Sequence, residues 1–126
     1  MMLVLAALLL CIGCAHATPV TFDLTLPLYN SQPGTCAAAV GDTCKDLSQL
    51  YAWRQKQGAT DSTLVLVANV AGLYGKPFSF TDDQPEGTFL YWVAAADATG
   101  NRSCMTPKVA NTVVLSPAPV SGFLKR

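Results

Sequence analysis

Gly87-Thr-Phe-Leu-Tyr-Trp-Val-Ala-Ala-Ala-Asp97, continuing as Ala98-Thr-Gly-Asn-Arg-Ser103, is the stretch that decides the fold. It opens on a turn glycine and proceeds through aromatic and β-favouring residues. Asp97 to Asn101 then supplies a second turn, and apolar alternation resumes at Val109. The pattern is a long strand, a tight connection and a returning strand, the closing hairpin of a β-sandwich. It defines an architecture and carries no chemistry.

Upstream, Val20-Thr-Phe-Asp-Leu-Thr-Leu-Pro-Leu28 alternates strictly, with Val20, Phe22, Leu24, Leu26 and Leu28 on one side. This period of two predicts a strand with one buried face. Pro27 cannot donate a ladder hydrogen bond, so that end lies at an edge or strand terminus. Asn30 to Lys45, bounded by Asn-Ser-Gln-Pro-Gly and Gly-Asp-Thr, reads as a long loop. Leu50 to Gln55 reads as a strand ending near Gly58. Ser62 to Val70 is apolar on both faces, which predicts a strand that is buried or covered by another element. Pro77 to Thr81 is a short strand, Asp82 to Gly87 a turn, 88–96 the long strand and 108–115 the last one. Residues 116–126 read as a loose tail. Turn signals recur at roughly 8–12-residue intervals, no helical period persists beyond the N-terminal segment, and no internal repeat occurs. The expectation is all-β: a two-sheet, immunoglobulin-like sandwich of about seven strands.

The 126 residues argue for one domain, 18–115, preceded by a targeting segment. Met1 to Ile12 is almost purely apolar, and Ala15-His16-Ala17 has the small-x-small form of a signal peptidase site. Residues 1–17 are therefore expected to be a signal peptide. Two alternatives stand beside cleavage after Ala17. Leu10-Cys-Ile-Gly-Cys14 resembles a lipobox, which would make Cys14 a lipidation site, and the segment could also remain as an uncleaved anchor. All three export the domain, to the periplasm, the cell surface or the medium. The eight acidic and eight basic residues all lie beyond residue 17, so the exported domain is neutral. The basic residues are scattered, which argues against nucleic acid as a partner. No basic amphipathic helix points to a membrane, leaving a lipid anchor as the only membrane connection.

His16, the one histidine, falls in the segment to be removed. Histidine-dependent triads and imidazole metal ligands are thus absent from the mature reading, and no cofactor is implied. Asp82, Asp83 and Glu86 cluster, but in a turn, where such residues are favoured for backbone reasons. Tyr51, Trp53 and Tyr91 could line one face as a platform for ligand stacking, with Trp92 pointing oppositely. Asn101-Arg-Ser103 is a glycosylation sequon, meaningful only in a eukaryotic source. Cys36, Cys44 and Cys104 remain after export, and an odd count leaves one over or pairs it with another chain. A local Cys36–Cys44 bridge would contribute about 2.5 kcal/mol on the loop-entropy model. Its rival joins Cys36 or Cys44 to Cys104.

Residues 20–114 resemble a bacterial-type fibronectin type III domain. Asp46-Leu47-Ser-Gln-Leu50-Tyr51 resembles the entry to strand C, and Gly87, Thr88, Phe89, Tyr91, Val93, Ala95, Asp97, Gly100, Asn101 and Ser103 resemble strand F and its following turn. Phe89 stands where such sandwiches carry the tyrosine whose hydroxyl bonds backbone upstream, with Tyr91 two residues further on. The resemblance implies that the B–C and F–G loops gather at one end, which brings in a Cys44–Cys104 clamp beside the local Cys36–Cys44 bridge.

The expected role is a non-enzymatic, secreted or surface-attached module for binding or structural spacing, with a protein or polysaccharide partner. The alternatives are a structural subunit of a larger extracellular or virion assembly and a carbohydrate-binding accessory domain.

Overall fold

A computed structural model describes residues 17–117, 121, 122, 124 and 125. The expected signal peptide, with the lipidation candidate Cys14 and with His16, falls outside these residues except for Ala17. The described chain forms eight strands: β1 (Thr18–Thr25), β2 (Tyr29–Ser31), β3 (Ala38–Thr43), β4 (Leu47–Lys56), β5 (Thr63–Asn69), β6 (Pro77–Gln84), β7 (Gly87–Asp97) and β8 (Val109–Val113). All pairings are antiparallel. The fold is an all-β sandwich, as the strand pattern predicts. One layer is the pair β1–β6, the other the four-stranded sheet β5-β4-β7-β8, and β2–β3 is a separate hairpin.

The alternation of β1 puts Phe22 and Leu24 toward the sandwich interior, in register with Phe80 and Phe78 of β6, and Leu26 just beyond the strand is buried as well. Leu26, Cys44, Leu47, Leu50, Val70 and Ala95 form the central apolar cluster, flanked by Leu24, Leu66, Ala68 and Phe78. Leu50 is fully enclosed, so its truncation to alanine would cost about 2–5 kcal/mol. The aromatic end of the core holds Phe22, whose ring centre lies 5.3 Å from Phe80 and 4.4 Å from Tyr91. The buried amide of Gln84 is saturated: Nε2 donates to the carbonyls of Gly87 and Asn111, and Oε1 accepts from Asn111 Nδ2. It closes the β6–β7 connection against β8. Gly87 starts β7 at φ 120°, a region where a side chain would be strained.

Three expectations change. Asn30 to Lys45 is not a featureless loop, because β2 and β3 pair within it, with a register shift between Tyr29 and Ser31. β6 runs on to Gln84, so Asp82 and Asp83 are strand residues, not part of a turn. β5 is covered on one face only, where Leu66 and Ala68 pack against the central cluster. It lies at the edge of its sheet, with Leu64 48% and Val67 53% exposed. The apolar character of its outer face is therefore not explained by packing within the described residues.

Candidate functional site: the outer face of the four-stranded sheet

Tyr51 and Trp53 are two residues apart on β4 and so share a face. Register decides what joins them. β4 pairs with β7 so that Trp53 stands opposite Trp92 and Arg54 opposite Tyr91. Opposed residues share a face. Trp92 therefore belongs to the outer row, and Tyr91 turns inward onto Phe22. The expected set of Tyr51, Trp53 and Tyr91 is corrected to Tyr51, Trp53 and Trp92. Ring centres step 6.0 Å from Tyr51 to Trp53 and 6.3 Å from Trp53 to Trp92, the latter pair inclined by 15°. The β4–β5 register, with Tyr51 opposite Val67 and Trp53 opposite Leu64, extends the row onto the exposed aliphatics of β5.

The chain beyond β7 returns along the free edge of that strand, and its side chains reach over this row. Ser103 N–H donates to the Ala95 carbonyl at 2.7 Å and Thr106 N–H to the Val93 carbonyl at 3.0 Å. The hydroxyls of Ser103 and Thr106 accept from the Ala95 and Val93 amides. Side chains thus substitute for ladder partners along an irregular segment. Arg102, bridged to Ala96, reaches over β7, where Ala94 and Ala96 present only methyl groups. Its guanidinium sits 4.7 Å from the Tyr51 ring centre and 5.8 Å from that of Trp53. Lys108 Nζ lies 4.7 Å from the Trp92 ring and donates to Gln55 Oε1 at 3.1 Å. Each such contact at an exposed site contributes about 0.5–1 kcal/mol. Among the described residues the ion pair is Arg54–Asp82, and neither Arg102 nor Lys108 has a carboxylate within salt-bridge reach. A shallow depression of about 400 Å³ lies beside this row, lined by Trp53, Ser62, Trp92, Met105, Thr106 and Lys108.

The turn that launches the returning segment is held by Asp97. Its Oδ1 accepts from the amides of Thr99 and Asn101 and from the Thr99 hydroxyl, while Oδ2 accepts from Asn101 Nδ2. The Thr99 and Asn101 side-chain bonds hold its carboxyl below the usual aspartate range. The sequon asparagine is thus engaged in the turn by its own amide. Gly100, at φ 90°, supplies the left-handed step.

The disulfide is Cys36–Cys104, with Cα atoms 5.7 Å apart. Of the pairings open in the sequence, this long one replaces both the local Cys36–Cys44 bridge and the Cys44–Cys104 clamp. Cys36 lies in the bend between β2 and β3, next to the segment after the β7 turn. Cys44 follows β3, bonded through its amide to the Leu28 carbonyl, and its thiol packs into the central cluster. Burial first, then Asp46, Asp97 and Asp42, push that thiol above its ordinary value. A cleft of about 490 Å³ separates the hairpin from the end of β7, with Tyr29, Asn30, Asp46, Asp97 and Arg102 on its walls and the disulfide at one side.

The acidic cluster has no metal-binding geometry. Asp82 points inward and is taken by Arg54 and Tyr91, while Asp83 and Glu86 face solvent. Among the described residues no group of three potential ligands converges. Sequence reasoning missed Trp92, Arg102 and Lys108 as partners of one row. The only signal would have been the β4–β7 register. No protein-family model matches the chain, and neither a curated protein nor a solved structure shows significant similarity to it.

Proposed function

We propose that the chain is an exported, non-enzymatic β-sandwich module that docks onto another protein through the outer face of its four-stranded sheet. The observation carrying this reading is the apolar strip Val67, Leu64, Tyr51 and Trp53, continued by Met105, on a face where a self-sufficient domain carries polar residues. Arg102 and Lys108, without carboxylate partners, give the strip two cations for orienting an acidic or polar rim on the other side. The disulfide favours an oxidising compartment, in keeping with export. The fibronectin type III reading is part of the proposal. It is supported by β4, β7 and β8 adjoining in the order of strands C, F and G, with β1 and β6 paired opposite.

Photo-crosslinking in the producing cells tests it. A benzophenone amino acid replaces Val67 in one variant and Thr21, on the solvent side of β1, in another. The expected result is a discrete protein adduct at 67 and none at 21. No adduct at 67, or equal adducts at both, overturns the reading.

A second reading, a carbohydrate-binding accessory domain, is favoured by the depression beside the stacked Trp53 and Trp92. Its volume falls within the range of about 300–1,000 Å³ of small-molecule sites. Tryptophan fluorescence titrated with a polysaccharide panel checks it, and an unchanged spectrum across the panel removes it.

A further inference from the structure

We infer that the partner at β5 is a second copy of this chain, joined edge to edge in antiparallel register. The inference rests on the docking-face reading above and names the occupant of the β5 edge that borders that face.

Among the described residues β5 pairs on one side only, with β4. The Val70 amide donates to the Ser48 carbonyl at 2.9 Å, and Ala68 pairs with Leu50. Backbone direction alternates along a strand, so the N–H and C=O of Val67 and Asn69 point away from β4 into open space. Such an edge accepts one kind of occupant, another strand. Monomeric sandwiches protect their edges with lysine, proline, inward charges or bulges. The other edges of the two sandwich layers have such devices, and the β2–β3 hairpin limits its edges to a three-residue strand and one that carries Asp42. β1 carries Pro19 and Asp23, and β6 carries Pro77, Asp82 and Asp83. β8 is five residues long and directly follows Pro107 and Lys108. Thr63-Leu-Val-Leu-Val-Ala-Asn69 has no charge and no proline, and its one bulge sits near its start, at the Trp53–Leu64 step.

Pairing with a second copy meets no electrostatic opposition. A strand without charge places no like charges opposite each other when it pairs with itself, and the chain as a whole has zero formal net charge. A two-fold axis through the edge sets Val67 opposite its own counterpart, where outward-pointing backbone groups meet donor to acceptor. Val67, about half exposed in the single chain, then packs against its own counterpart. The two sheets become one of eight strands, with the aromatic rows of both copies on a continuous face. Seven residues per edge make a small interface, below the roughly 1,200 Å² of total area typical of stable complexes, so the dimer is weak and concentration-dependent.

Sedimentation velocity on the protein as exported and purified tests this across roughly 1–300 μM, a range bracketing the affinity expected of so small an interface. A monomer–dimer equilibrium with Kd of roughly 10–100 μM is expected. Val67→Lys should raise Kd at least about tenfold by setting two cations opposite each other. Leu64→Lys, on the same face, should weaken it in the same direction, and Ser79→Lys, on the far layer, should leave it unchanged. Circular dichroism melts establish that each variant is folded. A wild-type protein that stays monomeric throughout, or a dimer indifferent to both lysines on β5, overturns the inference. If the benzophenone at 67 then captures a protein other than this chain, the docking face stands with a different occupant. If it captures nothing, both readings fall.

Discussion

The hydroxyl of Tyr91 donates to Oδ2 of Asp82 across 2.7 Å, tying the four-stranded sheet to the β1–β6 layer. The same oxygen receives Arg54 Nη1 at 2.9 Å, and the guanidinium also meets the Asp83 carbonyl and the face of Phe89. Phe89 and Tyr91 thus divide the role expected of a single tyrosine: one ring supports the cation, and the other's hydroxyl bonds a carboxylate instead of upstream backbone.

Tyr91→Phe should lower stability by about 1–2 kcal/mol, the usual cost of leaving a partly buried acceptor one donor short. Arg54→Met should cost more, about 2–3 kcal/mol, because it leaves the Asp82 carboxylate without its cation, although partial exposure of the pair tempers the loss. The double variant should fall short of the sum, since both act on one oxygen. Urea midpoints at unchanged m-value measure all three.

Removing the disulfide as Cys36→Ala with Cys104→Ala should destabilise by about 4 kcal/mol. The bridge spans a sequence separation of 68, far longer than the local alternative. Non-reducing peptide mapping checks the pairing, provided the chain is cut at Asp42. Trypsin leaves Cys36 and Cys44 on one peptide ending at Lys45, and only the added cut distinguishes them. The fragment before Asp42 should be linked to the one bearing Cys104.

Cys44 should resist thiol reagents in the native protein and react on unfolding. Burial raises its pKa above the ordinary 9.0, and burial followed by the Asp82 hydrogen bond raises that of Tyr91. Both groups hold their protons in the folded chain after the unfolded chain has lost them. Their contribution to stability is therefore complete below about pH 9 and declines as pH rises toward their folded values. Alkaline titration of the urea midpoint should show this fall, and Cys44→Ala with Tyr91→Phe should flatten it.

Asp97 has the opposite sign. Its folded pKa is depressed, so the order it gives the turn is present above the ordinary aspartate value and is lost as pH falls through the folded one. Amide exchange at Thr99 and Asn101 should accelerate in that acid range. Asp97→Ala should give the accelerated rate at neutral pH, while a buried reporter such as Ala52 stays protected.

β7 and its turn were legible because each residue there favours the state it adopts: β-favouring residues in the strand, an aspartate and a glycine where the turn needs them. The strict alternation of β1 was legible for the same reason. Pairing parity was not. Tyr91 and Trp92 are adjacent and chemically alike, and a one-residue change in the β4–β7 register exchanges them between core and surface. No local preference encodes that choice. The β2–β3 hairpin was hidden because its first strand is three residues long and lies among turn formers. Cys36 and Cys44 could not be ranked from spacing, since what separates them is that one faces the core and the other does not.

The Cys36–Cys104 bond also determines how the chain bears load. Tension applied through the two ends of the domain passes from Cys36 directly to Cys104 and skips the 67 residues between them, one fewer than their separation of 68. β3 to β7 lie inside that covalent ring, so only the flanking strands β1, β2 and β8 can be pulled out straight. Roughly 230 Å of contour stays locked while the bond is intact. A domain tethered outside a cell would yield a short, fixed length under force and keep its aromatic face inside the part that does not unravel.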